Sequence, residues 1–480
     1  MPRNLELQQE GLARLLGEGG GTQGEEPFPC SPNWLKSSNA KIRGPLLAVD
    51  FQMSFQEQRP ITEAARSHVR ETVRQWLGVR KDDALHVPEM PDNLARLFLR
   101  CEEWEIDSRD QWGNFEHGLA DNTRRRTLWI PEVDEWVNSI RATLPPKVQT
   151  EPLWPNGHKF ALCLSHDVDA ISTQYSALQL HRLKRRELLA KSVLTGADRS
   201  FLAAFESESS RLESLRPSER PSSAVESMDR SIQIEKDFGI KGSYFFPIWP
   251  PKVDSPYDCL YTADDQYTYL GRVMTARDIM LELAAEGFDV GLHGGYHTAL
   301  SLENFLHEKH LIEDETGLSI TTTRQHWLHW DARVTPRIQF QAGITADSTL
   351  GYNRNIGFRA GTSKPYFFYD VGTDEQLDLV ELPMVLMDGS VFSTMALELD
   401  LPRAKQIAFD LIDRIIETGG CASLLFHPEN LANPATYSLY RECTAYCIEK
   451  GAWGASLKQI ENWWRDRTAK LNAQSPSTEH

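Results

Sequence analysis

The chain has no uninterrupted apolar run of about 18 residues or more, the length a helix needs to cross a bilayer, so an integral helical membrane protein is excluded. Basic charge is scarce as well: 51 Lys and Arg stand against 68 Asp and Glu, a formal net charge of −17. Non-specific nucleic-acid binding rests on a concentrated basic surface, so nucleic acid is excluded as a partner on bulk charge. Cysteine is sparse and unpatterned. Seven residues at scattered spacing provide neither a disulfide framework nor a thiolate zinc cluster. Cys443 and Cys447, four apart on an expected helix, read as reduced packing residues. No internal repeat recurs at a fixed period. The start, Met1-Pro2-Arg3-Asn4-Leu5-Glu6, carries an acid early and lacks the apolar segment and small-residue cleavage site of a secretory signal, so the expected location is the cytoplasm.

What is present suffices for a large core. With 480 residues, 40% of them hydrophobic, the chain exceeds what one core usually sustains, so a large catalytic domain and a smaller companion are expected. The glycine-rich residues 17–26 cannot bury apolar surface, and residues 1–43 read as a flexible lead-in. Residues 44–150 form an expected accessory α+β domain, with a strand-like Leu46-Leu47-Ala48-Val49 and helices over 64–77 and 133–144. Pro145, Pro146, Pro152 and Pro155 punctuate a boundary near 150. From 151 to 468 short apolar strands alternate with amphipathic helices. Strands are expected at 160–165, 242–247, 288–292, near 344, at 380–383 and 422–426; helices at 227–238, 276–286, 302–316, 403–418 and 437–450. This is an α/β pattern, a parallel sheet wound with helices as a barrel or an open sheet. Residues 170–227 form an insertion carrying the basic run His181-Arg182-Leu183-Lys184-Arg185-Arg186. It reads as a solvated helical excursion, or as a lid or a patch for an anionic substrate or lipid surface. Residues 469–480 read as a flexible tail.

The chemistry concentrates in two short stretches. Cys163-Leu164-Ser165-His166-Asp167-Val168-Asp169 is an apolar strand ending in two carboxylates, and residues i and i+2 of a strand face one side. One of the two carboxylates can bind a cation while the other serves as general base on a bound water. Downstream, Asp289-Val290-Gly291-Leu292-His293-Gly294-Gly295-Tyr296-His297 ends a second strand on histidine, and two glycines bend the chain toward another. His293, His297 and Asp169 make two nitrogens and one oxygen with open positions left for water and substrate, as a catalytic metal site requires.

These motifs resemble the polysaccharide deacetylase family (NodB homology, carbohydrate esterase family 4), in the divergent branch whose first motif reads Asp-x-Asp and which carries an N-terminal extension. The resemblance covers about 158–465 and implies a distorted (β/α) barrel with fewer than eight regular strands. It implies Asp167 as catalytic base, and Asp169, His293 and His297 as ligands of a divalent ion, Zn2+ foremost. Leu424-Leu425-Phe426-His427 is similar to the family's late motif and makes His427 the general acid. The family's Arg-Pro-Pro motif is absent; Thr323-Arg324-Gln325-His326-Trp327-Leu328-His329-Trp330 stands in its place, with Arg324 as the catalytic counterpart. Asp347 corresponds to the supporting aspartate. Tyr296, through its backbone N–H, His326 and Arg359 are expected to face the substrate, and Trp327 and Trp330 could stack on sugar rings.

The activity implied is metal-dependent removal of an N-acetyl or related acyl group from a carbohydrate, a soluble or lipid-linked sugar. A glycosidase would need its carboxylates about 5 Å or more apart on separate elements and no metal. A non-catalytic carbohydrate-binding or scaffold protein on the same fold is the remaining alternative. Retention of both Asp167 and His427 disfavours it.

Overall fold

A computed structural model describes residues 60–473, apart from 84–85, 111, 116–127, 172–176, 192, 201, 204–221, 225 and 254. The lead-in, the strand-like residues 46–49 and the end of the tail lie outside the described residues. The chain divides into two compact units, one of residues 59–173 and 220–480, the other including residues 174–219. The described part of the latter contains the helix Ala177–Leu189.

Thirteen strands are described: β1 (Ala161–Asp167), β2 (Ser222–Ala224), β3 (Ser243–Phe246), β4 (Gln266–Tyr269), β5 (Arg272–Thr275), β6 (Asp289–Gly294), β7 (Thr322–Gln325), β8 (Ala346–Asp347), β9 (Tyr366–Asp370), β10 (Glu375–Glu381), β11 (Leu386–Met387), β12 (Cys421–Leu425) and β13 (Trp453–Gly454). Ten form one sheet in the order β11-β12-β1-β3-β6-β7-β8-β10-β9, with β13 also paired to β1. Every pairing in it is parallel except β9 with β10. β2, β4 and β5 make a small separate sheet. The curled, mostly parallel sheet wrapped by helices is the distorted (β/α) barrel expected, its path left open between β11 and β9.

All seven residues of β1 are buried, as a parallel strand covered on both faces must be. Its side chains alternate between two cores: Ala161 and Cys163 pack with one cluster, Leu162 and Leu164 with the other. That alternation sends Asp167 to the Cys163 side. His166 goes to the opposite layer, where its ring nitrogens meet the Phe426 carbonyl at 2.7 Å and Glu235 at 2.6 Å.

The helices of the expected 44–150 segment belong to the same compact unit as the barrel. The helix Glu63–Leu77 starts on Thr62, which accepts from Ala65 N at 3.0 Å, and ends on Gly78 at φ 77. Its Trp76 is fully buried and donates to the Pro365 carbonyl at 2.8 Å. Two buried ion pairs cross from this segment to the barrel, Asp134 with Lys364 at 3.0 Å and Glu103 with Arg359 at 2.7 Å.

Among the described residues no helix is long and apolar enough to cross a membrane. Cys443 and Cys447 lie buried in the helix Pro434–Glu449 and form no disulfide.

Candidate active site

Parallel strands all end on one side of a sheet, so residues at their carboxyl ends converge there. Asp167 closes β1, His293 is the penultimate residue of β6 and His427 follows β12 by two residues. The β6–β7 register sets His293 beside Arg324, and His293 Nδ1 donates to the Arg324 carbonyl at 2.9 Å. This leaves Nε2 facing inward with no hydrogen-bond partner.

Asp169 is the hub. Its Oδ1 lies 3.1 Å from His293 Nε2 and 3.8 Å from Cys259 Sγ; its Oδ2 lies 3.4 Å from His326 Nε2 and 3.9 Å from His427 Nε2. Ligand atoms of Asp169, Cys259 and His326 all lie within 4.8 Å of one another. Asp167 stands alongside, Oδ2 at 3.9 Å from His293 Nε2 and Oδ1 at 3.7 Å from Arg324 Nε. The fully buried Arg324 donates to Ser165 Oγ at 2.9 Å and lies over the Phe245 ring at 5.3 Å, which fixes its guanidinium beneath the carboxylate.

The expected residues His297, Tyr296, Asp347 and Arg359 have the following surroundings. His326, expected to face substrate, lies 3.4 Å from Asp169, and among the described residues no ion pair joins His297 to that carboxylate. Acids approach the backbone closely at the glycines. Glu308 accepts from Gly295 N at 2.8 Å and Asp258 from Tyr296 N at 2.7 Å; a Cβ on Gly295 would meet Glu308 Oε1 at 2.9 Å. The chain then enters the 3-10 turn Tyr296–Leu300, and the His297 ring stands perpendicular to that of Tyr296. The same Asp258 contact occupies the Tyr296 N–H expected to hold an oxyanion. Asp347, expected as the supporting aspartate, is fully buried, accepts from Thr349 Oγ at 2.5 Å and is paired in register with Glu381. Arg359 is 2% exposed and bonded to Glu103, a structural ion pair and not a substrate contact.

Three participants escaped sequence reasoning. Asp388 follows β11, whose parallel register with β12 brings it to His427; it accepts from His427 Nδ1 at 2.7 Å and His427 N at 3.0 Å. An acid directly after the apolar Val385-Leu386-Met387 was the available signal. Cys259 lies on a loop without ligand spacing. Glu429, two residues past His427, has a buried oxygen without a partner.

The charges respond to this crowding. Burial opposes protonation of His427, yet the charge and hydrogen bond of Asp388, then the charge of Asp169, hold its pKa well above the ordinary value. His326 is likewise opposed by burial, but Asp169 and then Asp258 push it up to about 10. Burial would raise the Asp169 carboxyl; His326 and His293 overcome this and hold it well below the usual range. Burial, then the charge of Asp169, pushes Glu429 up to about 8.

A rim of aromatic rings borders the histidines. Trp327, next to His326, stacks on Trp112 at 5.8 Å and meets Tyr257 edge-on at 5.7 Å; Tyr257 in turn lies 4.8 Å from Tyr296. Trp330 instead belongs to the core, 1% exposed. Gly113, at φ +79, presses the Trp112 turn against this rim, since a Cβ there would come within 2.7 Å of His329 Nε2.

No protein-family model and no curated protein sequence matches the chain. Solved structures similar to it include a candidate polysaccharide deacetylase from Mycobacterium smegmatis, 20% identical over 68% of this chain and 96% of that one, TM-score 0.42. Puue allantoinase is 15% identical over 68% and 95%, TM-score 0.39. The peptidoglycan deacetylase PdaC of Bacillus subtilis is 12% identical over 53% and 96%, TM-score 0.27.

Proposed function

We propose that this protein is a metal-dependent hydrolase that removes an N-acyl group from a carbohydrate. The observation that carries the reading is the ring of His293, His326, Cys259 and His427 around one carboxylate, Asp169, with a second carboxylate, Asp167, beside it. Buried His293 Nε2, which faces both Asp169 and Asp167, makes no hydrogen bond, which fits a cation among these groups. Carboxylate, imidazole and thiolate are the donors that Zn2+ accepts, and Asp169, His293, His326 and Cys259 would hold it. When bound, such an ion lowers the pKa of water and polarises a carbonyl.

The chain's own residues supply the remaining tasks. Asp167 takes the proton of the attacking water, its carboxylate kept in place by Arg324. His427, steadied by Asp388 through Nδ1, presents Nε2 toward Asp169 and gives a proton to the departing nitrogen. Amides need this second transfer because an unprotonated amine is a poor leaving group.

Elemental analysis and acetate release from N-acetylated sugars test the assignment together. Wild-type protein prepared without chelators should carry about one equivalent of zinc; Asp169→Ala and His326→Ala should lose metal and activity, and His297→Ala should keep the metal. A metal-free wild type, or loss on removing His297 with retention on removing His326, rejects the ligand set.

The pH profile tests the acid. His427 must be protonated to act, so activity persists below its raised pKa and falls as pH rises through it. Asp388→Asn removes the charge that raises this pKa, and the alkaline limb should move down by about one unit or more. An unmoved limb assigns the proton donor elsewhere.

A further inference from the structure

We propose that the rim of Trp327, Tyr257 and Tyr296, together with Arg354, is a subsite for an anionic sugar unit, one bearing a carboxylate or a phosphate, adjoining the unit whose amide reacts. The proposal rests on the hydrolase reading for the position of that amide.

The rim begins at the candidate metal centre. Trp327 follows His326 directly, with ring centroids 5.9 Å apart, and His326 Nε2 lies 3.4 Å from Asp169. Trp327, Tyr257 and Tyr296 are half-buried, while Trp112 behind them is buried. Half-open aromatic faces beside a hydrolytic centre suit the C–H faces of sugar rings.

Backbone strain holds the central ring in position. Trp327 and Leu328 are consecutive non-glycine residues at positive φ, 61 and 48. Positive φ is costly for any residue with a Cβ, and strain of this kind concentrates at ligand-contacting positions. The side-chain amides of Asn114 and Asn353, from two distant segments, both donate to the Trp327 carbonyl and hold the conformation. Filling a core does not require a tryptophan to be strained at the rim.

The charge identifies the ligand class. Arg354 is exposed, and its guanidinium carbon lies 4.4 Å from the Trp112 ring centroid, a cation–π contact that limits where the group can go. Among the described residues no carboxylate lies within ion-pair distance of it, in a chain with 68 acids. A guanidinium is planar and matches a carboxylate or phosphate with two parallel hydrogen bonds.

Calorimetric titration of full-length Asp167→Asn protein, whose turnover is expected to be strongly reduced, tests this with three probes: a hyaluronan tetrasaccharide for carboxylate, UDP-N-acetylglucosamine for phosphate, and neutral chitotetraose. At least one anionic probe should bind tenfold or more tighter than the neutral one, and which of them does so identifies the anion. Arg354→Gln in the same background should abolish the difference; Arg403→Gln, an exposed change elsewhere, should keep it. Equal affinity for all three probes, absence of binding, or a preference that survives Arg354→Gln overturns the subsite. If the preference holds while wild-type protein releases no acetate, the hydrolase reading falls and the subsite stands. If acetate is released without an Arg354-dependent preference, the subsite falls and the hydrolase reading stands.

Discussion

Asp167→Asn lowers amide hydrolysis by about a thousandfold or more, roughly 4 kcal/mol of barrier, and leaves the bound metal in place. The amide is nearly isosteric with the carboxylate, so the contacts to Arg324 and His293 are largely kept, and what disappears is the group that takes a proton from water. Asp169 differs because imidazoles and a thiol surround it, whereas Asp167 faces one imidazole at 3.9 Å and a guanidinium at 3.7 Å. The measurement is steady-state acetate release alongside metal content. A variant with near wild-type turnover gives the base role to another group, and one that loses its metal makes Asp167 a ligand.

Glu103→Ala should destabilise the fold by about 3–5 kcal/mol, the usual cost of removing one partner from a buried ionic group. Glu103 is 1% exposed and bonded to two guanidiniums, those of Arg100, 1% exposed, and Arg359, 2% exposed. Deleting the acid strands both cations away from water. Equilibrium urea unfolding followed by tryptophan fluorescence reads the loss. Because the network spans the N-terminal helices and the barrel, the whole transition should shift. A separate early transition would mean that the segment before residue 150 unfolds on its own.

Much of the barrel is legible in local pattern. The helix over 302–316 is found at Leu302–Thr316, and the strand expected at 422–426 is Cys421–Leu425. Apolar periodicity and Ser, Thr or Gly caps are properties of neighbouring residues, which is why they can be read along the chain. β7 escapes such reading because Thr322-Thr323-Arg324-Gln325 is polar, although all four residues are buried. An interior of hydrogen-bonded polar side chains leaves no apolar signature. The helix Leu457–Asn472 escapes it for a related reason, its buried stripe being diluted by charged residues on the open face.

By itself the sequence indicated that one strand runs out into Asp167 and Asp169, that a second carries a histidine near its end and that a third leads to His427, because strand alternation and the shared carboxyl edge of parallel strands follow from local geometry. Only the tertiary structure decided that His326 comes to within 3.4 Å of Asp169, that Asp388 bonds His427, and that Arg359 pairs with Glu103. Those choices depend on strand register and on which carboxylates occupy the backbone N–H groups of a turn. Both are set by residues tens to hundreds of positions apart, whose distances in space no local pattern encodes.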